Sequence, residues 1–588
     1  MHKTKWMYTK LDYDFSPLAK TLGISPFLAE ILVKRGLRTE TELTNYLHPD
    51  RCSLHSPWLM KGMEKACEII LAAKVNGQKV RIIGDYDVDG VMATTILMKG
   101  LKRLGVMADC VIPDRVKDGY GIRDYMAEQA KEDGASVILT CDNGISAMEA
   151  ITQAKEIGMK VVLTDHHDVP FIEENGVRSY QLPPADTILN PKQQDCSYPC
   201  KVLCGAAVAY KLVAALYEKE GRDIEAEKDL FVFAAIATVC DVMPLTEENR
   251  IFVKYGLEMI HQTGNYGLDA LLYEKELSNR KITAYHLGFV IGPCINAAGR
   301  IDTAKLGLSM LLSDDKEEAK ELAGRLAALN ETRKEVTLKA EEEAKRIVEE
   351  GGLEEDAVLL LYLPDCHESI AGIVAGRIRE KYYKPVFVAV KTEKGVKGSG
   401  RSIPEYSMYE EMTRCKDLLT EFGGHPLAAG FSLPEENVAE FRRQLNLLTT
   451  LTKEDLVEKL RFDLHLPLRD CDTLFVEEMD LLEPFGQGNK KPLFAATGLK
   501  ICHASLVGKN RNVLRLTMRE EGSMGNFQAV DFDGGSALES VLQEKYGTRS
   551  FAKMLAGEEQ YDIDMLYQPD INEYNGIRTV QFIAKGYR

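Results

Sequence analysis

From Lys79 onward, short apolar runs alternate with amphipathic stretches, and this alternation predicts an α/β domain. The sequence contains four such runs, VRIIG, SVILTC, KVVLTD and TILNP, which have the length and β-branched content of buried parallel strands. Between the strands lie stretches such as MATTILMKGLKRLG, whose apolar residues have helical spacing. We therefore expect a doubly wound parallel sheet with helices on both faces.

The rest of the chain has other patterns. Residues 315–350 carry apolar positions at helical spacing among charges that can pair, so they predict one long connecting helix that ends at Gly351. The runs VLLLYLP and PVFVAV then indicate a second, smaller α/β domain. Short alternating patterns such as VLRLTM and FQAVDF follow, and they predict a small β-barrel.

The predicted domains follow from these changes of pattern, and the stretch before Asp50 is interpreted as a few short helices that cap the following domain. The expected divisions are a helical cap (1–55), an α/β catalytic domain (56–313), a connecting helix (314–352), a smaller α/β domain (353–452) and an OB-like β-barrel (453–588).

Length and composition narrow the class of protein. A chain of 588 residues is too long for a single core, and no apolar run approaches the roughly 20 residues that cross a bilayer. The thirteen cysteines include no CxxC pair, which favours reduced thiols over a disulfide framework. We expect a soluble cytoplasmic protein.

The net charge of −17 argues against a nucleic-acid partner, because phosphates favour a basic surface. Residues 366–402 depart from that average, with eight Lys or Arg against three acids. A basic patch on an acidic protein is therefore one interpretation, and a solvated charged face without a partner is the other.

The segment GDYDVDG is the strongest chemical signal, because it lies where a predicted strand ends and a helix begins. In an extended segment, Asp85, Asp87 and Asp89 would point to the same side. Three such carboxylates repel one another unless cations offset their charge. A calcium loop of the EF-hand type would require a chelating acid at the twelfth position, where this chain has Ile96.

Two further predicted strands end in similar residues. The run SVILTC leads into Asp142, and KVVLT leads into Asp165, His166 and His167. Asp241 follows the apolar segment FAAIATVC and could close the cluster from one side. Each acid alone would more often be a cap or turn residue, but together at strand ends they predict a metal centre. Carboxylates with imidazole and without thiolate favour Mn²⁺ or Mg²⁺.

Three cysteines, Cys196, Cys200 and Cys204, are spaced four residues apart, as zinc ligands can be. Structural zinc usually takes four ligands, and no fourth Cys or His is close by in the sequence. We therefore interpret these cysteines as small buried residues.

The segments GDYDVDG, CDNG, TDHH and VCDVMP, in this order, resemble the phosphodiesterase motifs of the DHH family. Within that family the resemblance is strongest to its single-strand-specific 5′ exonucleases. It extends over nearly the whole chain through IPDRVKDGYG, GPCINAAGRIDTA, HESIAGIVAGRI, KGSGRS, GGHPLAAG and LEPFGQGN. It implies DHH and DHHA1 domains followed by an OB-fold.

The resemblance implies a two-metal site. Asp87 and Asp142 would hold one ion, and the other ion would be held by Asp89, Asp142, His166 and Asp241. Asp142 would then bridge the two divalent cations, Mn²⁺ or Mg²⁺. Beside the metals, Asp85 would be a ligand or an orienting carboxylate, and His167 would lie near the scissile phosphate.

The resemblance also implies residues that bind substrate phosphates, namely Arg115, Arg300, His367, Ser399, Arg401 and His425. Among these, Arg115, Ser399 and Arg401 would form a pocket for the 5′-phosphate. Two positions depart from the family pattern, because Cys294 stands where many members have Arg and Lys490 where Pro is usual. No implied metal ligand is missing.

The implied activity is 5′-to-3′ hydrolysis of single-stranded DNA to mononucleotides in recombination and repair, by a monomer that works with a helicase and a single-strand-binding protein. Two alternatives remain open: a DHH enzyme for small substrates such as dinucleotides or pyrophosphate, and a non-catalytic scaffold. The scaffold would have lost metal ligands, whereas small-substrate enzymes typically end before an OB-like region. Both features favour the exonuclease.

Overall fold

The computed structural model of the chain describes residues 4–115, 118–119, 121–174, 177–301, 303–393, 395–509 and 511–588. The chain divides into two compact units. The first unit comprises His48–Lys334 and Leu482–Lys490, and the second comprises Met1–Leu47, Glu335–Leu481 and Lys491–Arg588. Within the described ranges, no helix is long and apolar enough to span a membrane.

The amino-terminal segment belongs to the second unit. It contains β1 (Thr4–Met7), α1 (Ser16–Leu22), α2 (Pro26–Lys34) and α3 (Glu40–Leu47). The helices agree with the sequence pattern, and α2 begins at a proline whose preceding Ser25 side chain accepts a hydrogen bond from Leu28 N.

The first unit alternates strands and helices in its amino-terminal half and is helical afterwards. The alternating half contains α4 (Met63–Val75), β2 (Lys79–Ile83), α5 (Val88–Arg103), β3 (Ala108–Val111), α6 (Asp124–Glu132), β4 (Ala135–Cys141), α7 (Met148–Glu156), β5 (Lys160–Thr164), β6 (Phe171–Glu174), β7 (Val177–Tyr180) and β8 (Thr187–Leu189). The helical half contains α8 (Gly205–Lys219), α9 (Lys228–Cys240), α10 (Glu247–Met259), α11 (Tyr266–Glu274), α12 (Ala284–His286), α13 (Gly292–Ile301) and α14 (Lys305–Leu312).

A five-stranded parallel sheet in the order β3-β2-β4-β5-β8 forms the centre of the first unit. All four predicted strands are present and parallel, which confirms the α/β class. The sequence pattern did not indicate β3, a short edge strand whose side chains are only half-buried. The strands β2, β4 and β5 are neighbours, so their carboxyl ends meet at one edge of the sheet.

Helices α5 and α8 pack on this sheet, and the almost entirely apolar α9 packs on both of them. Gly100 on α5 lies against Val213 on α8, where a Cβ would come within 2.7 Å of the valine side chain. The missing side chain therefore lets the two helices approach closely. This packing fixes the amino terminus of α8 near the sheet edge at which the acidic residues collect.

The predicted connecting helix is α15 (Lys316–Glu350), which crosses the division between the units. The second unit continues with β9 (Leu359–Tyr362), α16 (Glu368–Tyr382), β10 (Val386–Thr392), β11 (Gly395–Arg401), α17 (Met408–Arg414), β12 (Glu421–His425), β13 (Ala428–Leu433) and α18 (Val438–Leu448). These strands form one sheet in the order β12-β13-β11-β10-β9. The smaller α/β domain predicted after the long helix is therefore present.

The last part of the second unit is mainly β-structure. It contains β14 (Glu458–Arg461), β15 (Leu464–His465), α19 (Thr473–Glu478), β16 (Phe494–Val507), β17 (Val513–Glu520), β18 (Phe527–Asp531), α20 (Ser536–Tyr546), α21 (Ser550–Ala556), β19 (Tyr561–Tyr574) and β20 (Ile577–Tyr587). The strand pairing runs β16-β17-β18-β20-β19 and returns from β19 to β16, so the sheet closes into a ring.

The amino-terminal segment also has a partner that the sequence did not reveal. Strand β1 pairs in parallel with β14, with Thr4 opposite Glu458. The sequence pattern predicts this segment as a cap on the following α/β domain, but in the structure it groups with the second unit. Such a pairing joins residues that are far apart in sequence, so no local pattern reports it.

A buried ion pair links two helices of the first unit and generates a stability prediction. Lys211 on α8 donates to Glu248 on α10 over 2.6 Å, and both side chains are at most 3% exposed. The Tyr198 hydroxyl also donates to Glu248. Replacing Lys211→Met leaves a buried carboxylate without its cation, so we expect a loss of about 3–5 kcal/mol in unfolding free energy.

Urea unfolding measures the unfolding free energy. Pulsed hydrogen exchange of peptides from α8 and α10 monitors the two helices. Lys102→Met is the matched control, because Lys102 pairs with Asp314 at a surface where both side chains are more than 70% exposed. That change should cost less than about 1 kcal/mol. Equal losses in the two variants would contradict the prediction.

Candidate active site

Three aspartates follow β2, and the backbone conformation of their segment differs from the extended one that the sequence predicts. The helix α5 begins at Val88, inside the GDYDVDG segment, whereas the sequence predicts a helix that begins after Gly90. Asp87 is its N-cap and accepts a hydrogen bond from Gly90 N, while Asp89 lies in the first helical turn. The three residues therefore do not alternate along an extended segment, because capping starts the helix among them. Asp85 and Asp89 are each 2% exposed.

The ends of β4 and β5 supply Asp142 and His166, and the end of α9 supplies Asp241. Asp142 follows β4 directly and has a left-handed backbone with φ of 62°. Asp241 is the C-cap of α9, as the turn after FAAIATVC suggested. The three side chains belong to elements that are well separated in sequence, and the sheet edge brings them together.

The His166 imidazole is surrounded by carboxylates. Its Nε2 atom lies 3.0 Å from Asp142 Oδ1, 3.5 Å from Asp89 Oδ2 and 3.6 Å from Asp241 Oδ2. Although both ring nitrogens are buried, neither has a hydrogen-bond partner of good geometry among the described residues. Such an arrangement suits ligand atoms that converge on a cation better than it suits a hydrogen-bonded histidine.

The amino terminus of α8 holds Asp89 in place. The Asp89 carboxylate accepts hydrogen bonds from Gly205 N at 2.6 Å and Ala206 N at 2.7 Å. A helix amino terminus favours negative charge, so this contact partly offsets the cost of burying a carboxylate. Gly205 also touches Asp142, and a Cβ there would lie 2.6 Å from the Asp142 Cβ. The sequence did not single out Gly205, since glycine is common at helix starts that bind nothing.

Asp165 has a different role from the acids around it. It accepts hydrogen bonds from Ile145 N, His166 N and His167 N, and its Oδ1 lies 2.8 Å from His167 Nδ1. Burial alone would lower the pKa of His167, but the hydrogen bond with Asp165 and the charge of Asp165 raise it to about 9. Asp165 thus positions a cationic His167. The motif TDHH contained this signal, but Asp165 was not among the predicted site residues.

Asp85, Asp142 and Asp241 have raised pKa values because they are buried among other carboxylates. Burial and the charge of Asp87 raise the pKa of Asp85 to about 7, and burial with Asp89 and Asp87 raises that of Asp241 to about 8. Burial followed by the charge of Asp89 raises the pKa of Asp142 well above its usual range. Burial lowers the pKa of His166. The cluster as it stands therefore disfavours its own negative charge.

A cavity of about 300 Å³ opens onto these groups. Its lining consists of Asp85, Tyr86, Asp87, Arg115, Asp142, His167, Asp241, Asn296 and Arg300. The Arg115 guanidinium lies over the Tyr86 ring, 4.8 Å from its centre. Two predicted phosphate-binding arginines, Arg115 and Arg300, thus share one cavity with the acidic cluster.

The donor atoms fit divalent cations. Three groups have ligand atoms within 4.8 Å of one another, namely Asp85 with Asp87 and Asp142, Asp89 with His166 and Asp241, and Asp142 with His166 and His167. Buried Asp85 Oδ1 and Asp241 Oδ2 have no hydrogen-bond partner in the described part of the chain. Cys196, Cys200 and Cys204 are all buried, which agrees with their prediction as small buried residues.

The remaining predicted phosphate-binding residues lie in the second unit, where they collect around β11. Ser399 and Arg401 lie on this strand, and Gly372 of α16 packs so closely that a Cβ would come within 2.9 Å of both side chains. His367 is the N-cap of α16. His425 ends β12, and through Ala428 it shares a row of the sheet with Arg401.

The Arg401 guanidinium lies in an environment that disfavours its positive charge. Burial and the nearby charge of Arg379 lower its pKa, and none of the described acidic side chains acts on it. Its Nη1 donates to the Gly400 carbonyl oxygen at 2.7 Å. This second cluster therefore has an anion-binding character.

The two departures from the family pattern can be understood from the structure. Cys294 is fully buried in the core of the first unit, on the opposite side of α13 from Asn296 and Arg300. Lys490 is exposed, and its neighbour Asn489 holds the turn by donating to Leu482 and Pro484 carbonyl oxygens. Neither departure removes a group from the cavity.

Three family models match the chain. The DHH family, N-terminal domain, matches residues 79–238, the DHHA1 domain matches 355–450, and the RecJ OB domain matches 462–586. The single-stranded-DNA-specific exonuclease RecJ of Bacillus subtilis is 34% identical over 588 residues, which cover 99% of this chain and 70% of that protein. The chain belongs to the RecJ family.

Other RecJ proteins match over nearly their whole length. The Haemophilus influenzae RecJ is 32% identical over 97% of each chain. Among solved structures, RecJ of Thermus thermophilus in complex with Mn²⁺ matches with a TM-score of 0.78 and 27% identity, over 100% of this chain and 80% of that one. The same protein in complex with Mg²⁺ gives a TM-score of 0.74 and 26% identity, over 100% of this chain and 78% of that one.

The raised carboxyl pKa values generate a prediction about the RecJ chain in EDTA. The folded site holds protons more tightly than the unfolded chain does, so stability falls as pH rises from about 4 towards 8. Replacing Asp241→Asn removes one repelling charge. We expect the unfolding free energy at pH 8 to rise by about 1–2 kcal/mol, with a smaller gain near pH 5.

Urea unfolding at the two pH values checks this, and Asp165→Asn is the control. Burial opposes ionisation of Asp165, but its hydrogen bonds lower its pKa, so that substitution should destabilise the protein at pH 8. A loss of stability in Asp241→Asn at pH 8 would show that mutual repulsion is not the dominant effect.

Proposed function

We propose that this RecJ-family chain is a metal-dependent exonuclease that degrades single-stranded DNA from the 5′ end. The observation that carries the proposal is the cavity that Arg115 and Arg300 line together with four aspartates and His167. Relatives at 31–34% identity are single-stranded-DNA-specific exonucleases by name. The cavity supplies the cation ligands and phosphate-binding groups that phosphodiester hydrolysis requires.

Two divalent cations, Mn²⁺ or Mg²⁺, would occupy the acidic cluster, as the complexes of the Thermus thermophilus relative suggest. Asp87 and Asp142 would hold one, with Asp85 as a further ligand or an orienting carboxylate. The second would be held by Asp89, Asp142, His166 and Asp241. Bound cations would lower the pKa of water and stabilise charge on the phosphate.

The chain's own residues orient and neutralise the phosphate. Arg115 and Arg300 line the cavity and can each grip phosphate oxygens through two nitrogens. With Nδ1 held by Asp165, a protonated His167 keeps Nε2–H as a donor for an oxygen of the scissile phosphate. His166 has a lowered pKa and a neutral ring, which suits a metal ligand.

The polarity of degradation would come from a pocket for the 5′-phosphate. Arg401 and Ser399 supply a guanidinium and a hydroxyl on one strand of the second unit, and Arg115 of the first unit is a separate candidate for binding phosphate. His367 and His425 would bind the adjoining phosphates. A terminal phosphate carries more charge than an internal one, so a half-buried guanidinium on which none of the described acidic side chains acts favours a strand end.

Partners and location follow from the substrate. An enzyme that acts on single strands requires the 5′ strand to be separated and kept unpaired, which supports a helicase and a single-strand-binding protein as partners. The ring of strands β16 to β20 corresponds to the matched RecJ OB domain, a fold that binds strands by stacking and charge. Thirteen free cysteines support a reducing, cytoplasmic location. We propose that the enzyme is a monomer.

The first test is hydrolysis of one single-stranded oligonucleotide labelled separately at each end. We expect the wild-type chain with Mn²⁺ to release the 5′ label as a mononucleotide, and EDTA to abolish this release. Asp142→Ala should lose at least about 1,000-fold in rate, because Asp142 belongs to two of the three ligand groups.

Other outcomes discriminate the alternatives. Hydrolysis of dinucleotides or pyrophosphate while long strands stay intact would favour a small-substrate enzyme. No hydrolysis of any of these by the wild-type chain would favour a scaffold.

The second test addresses the 5′-phosphate. We expect Arg401→Ala to raise KM for a 5′-phosphorylated strand by roughly 10- to 100-fold, while KM for a 5′-hydroxyl strand changes little. The control is Arg443→Ala, because Arg443 is exposed and already paired with Glu440 in the same unit. An equal rise for both strand types would contradict a role in recognising the 5′-phosphate.

A further inference from the structure

A short segment of the carboxyl-terminal half belongs to the first unit, although the chain on both sides of it belongs to the second. This segment is Leu482–Lys490, with the sequence LEPFGQGNK, and we call it the strap. Its motif contributed to the family resemblance, but none of its residues is among those that line the cavity of the candidate active site. The strap therefore contributes to the first unit in a way other than by lining the cavity.

The strap holds its shape through hydrogen bonds within itself. Gly486 N donates to the Asn489 carbonyl oxygen at 2.9 Å, and Asn489 N donates to the Gly486 carbonyl oxygen at 3.1 Å. The Asn489 side chain is 1% exposed and donates to the carbonyl oxygens of Leu482 and Pro484. Gly488 has a φ of 71°, a backbone conformation that glycine adopts without strain. The strap is therefore a well-defined loop rather than a loose connection.

The strap lies directly on the turn that follows α9, residues 241–246. Leu245 N in this turn donates to the Gln487 carbonyl oxygen of the strap at 2.7 Å. A Cβ at Gly488 would lie 3.2 Å from the Cβ of Pro244, which is closer than such atoms usually approach. The absence of a side chain at Gly488 therefore lets the two backbones come together.

The same turn supplies Asp241, and its backbone is strained. Val242 has a φ of 57°, in the left-handed region that β-branched residues rarely adopt, and its side chain is 64% exposed. Such a conformation costs on the order of 1–3 kcal/mol and persists only where surrounding contacts hold it. The start of the turn is tied to α9, because Met243 N donates to the Thr238 carbonyl oxygen at 3.1 Å. The far end of the turn requires other support.

Helix α10 and the strap support the far end of the turn together. Asn249 Nδ2 on α10 donates to the Pro244 carbonyl oxygen at 3.1 Å, while Leu245 N donates to the strap. The strap is itself fixed to α10, since Arg250 Nη1 donates to the Leu482 carbonyl oxygen at 3.0 Å. Arg250 is only 2% exposed. The turn is thus held by α10 directly and, through the strap, a second time.

We propose that the strap is a positioning element of the candidate metal centre, because it holds the turn that presents Asp241. The Asp241 Oδ2 atom lies 3.6 Å from His166 Nε2, and these two residues share a ligand group with Asp89. The proposal rests on the proposed role of Asp241 as a cation ligand. Groups that orient metal ligands change metal affinity by roughly 10- to 100-fold. Coupling is reciprocal, so a cation bound by Asp241 also stabilises the strap on the turn.

A strap with a purely structural role would behave differently. Loosening it would lower the unfolding free energy, but the cation affinity of the folded site would stay the same. The contacts favour the positioning role, because the strap touches Pro244 and Leu245, which follow the candidate ligand Asp241 closely in the chain.

The experiment measures Mn²⁺ binding to the full chain from the electron paramagnetic resonance signal of free Mn²⁺. Gly488→Val places a β-branched side chain against Pro244. We expect it to raise the Kd of one Mn²⁺ roughly tenfold and to leave the other, which Asp87 and Asp142 would hold, within about twofold. Gly264→Val is the matched control, because Gly264 has a φ of 64° in the same unit and no described atom within 4 Å of an added Cβ.

A double-mutant cycle tests whether the strap acts through Asp241. Asp241→Asn alone should weaken the same Mn²⁺, and Gly488→Val should add no further loss of affinity in that background. Additive losses would overturn the proposal. So would equal losses of affinity in Gly488→Val and Gly264→Val, because the effect would then come from backbone strain in general.

Hydrogen exchange of the wild-type chain provides a test that requires no variant. We expect Mn²⁺ to slow exchange in peptides that cover the strap and residues 242–247, because cation binding and seating of the strap are coupled. Exchange in these peptides that Mn²⁺ leaves unchanged would overturn the proposal. This measurement remains decisive if Gly488→Val fails to fold.

These outcomes are distinct from a failure of the proposed function. If wild type binds Mn²⁺ and degrades strands while Gly488→Val binds Mn²⁺ equally well, the positioning role is overturned and the exonuclease stands. If Mn²⁺ binding depends on the strap but no strand is degraded, the positioning role stands and the exonuclease falls. If wild type binds no Mn²⁺, both proposals fall.

Discussion

The mutual repulsion of buried carboxylates is the constraint on which the first unit depends. Asp85, Asp89, Asp142 and Asp241 lie so close together that burial and neighbouring charge raise the pKa of each. A chain gains no stability from such a cluster, so the surrounding structure must hold it together. The parallel sheet does so, because the order of β2, β4 and β5 places three strand ends side by side.

Backbone groups and positioned side chains complete this support. The first amides of α8 donate to Asp89, and the close packing of α5 on α8 keeps that helix end in place. Asp165 is buried equally deeply but ionises readily, since backbone amides and His167 satisfy its oxygens. Two aspartates at adjacent strand ends thus have opposite proton affinities, and the difference arises from hydrogen bonding rather than from depth of burial.

The sequence predicted the class of fold and most of the site for a physical reason. Parallel strands buried on both faces are continuous apolar runs, and polar residues that follow them, such as Asp142 and His166, lie at the edge where ligands bind. The long helix was predicted equally well, from the helical spacing of its apolar residues and from the glycine at its end. Arg115 and Arg300 were predicted instead from motifs that resemble those of the family, because a single arginine in a sequence does not indicate where it lies in the fold.

What the sequence could not show depends on contacts between distant residues or on backbone geometry. The start of α5 at Val88 is decided by capping within a segment that could also be extended. The close contact of Gly205 with Asp142 joins residues more than sixty positions apart, so no local pattern reports it.

The pairing of β1 with β14 affects how the chain acquires its fold during synthesis. Thr4 leaves the ribosome long before its partner Glu458, which follows residues 48–334 of the first unit in the chain. Since domains generally fold as they are completed, residues 48–334 can begin to fold while this strand still has an open edge. Strand β1 is therefore synthesised before residues 48–334 but gains its partner only after them, when β14 has been made.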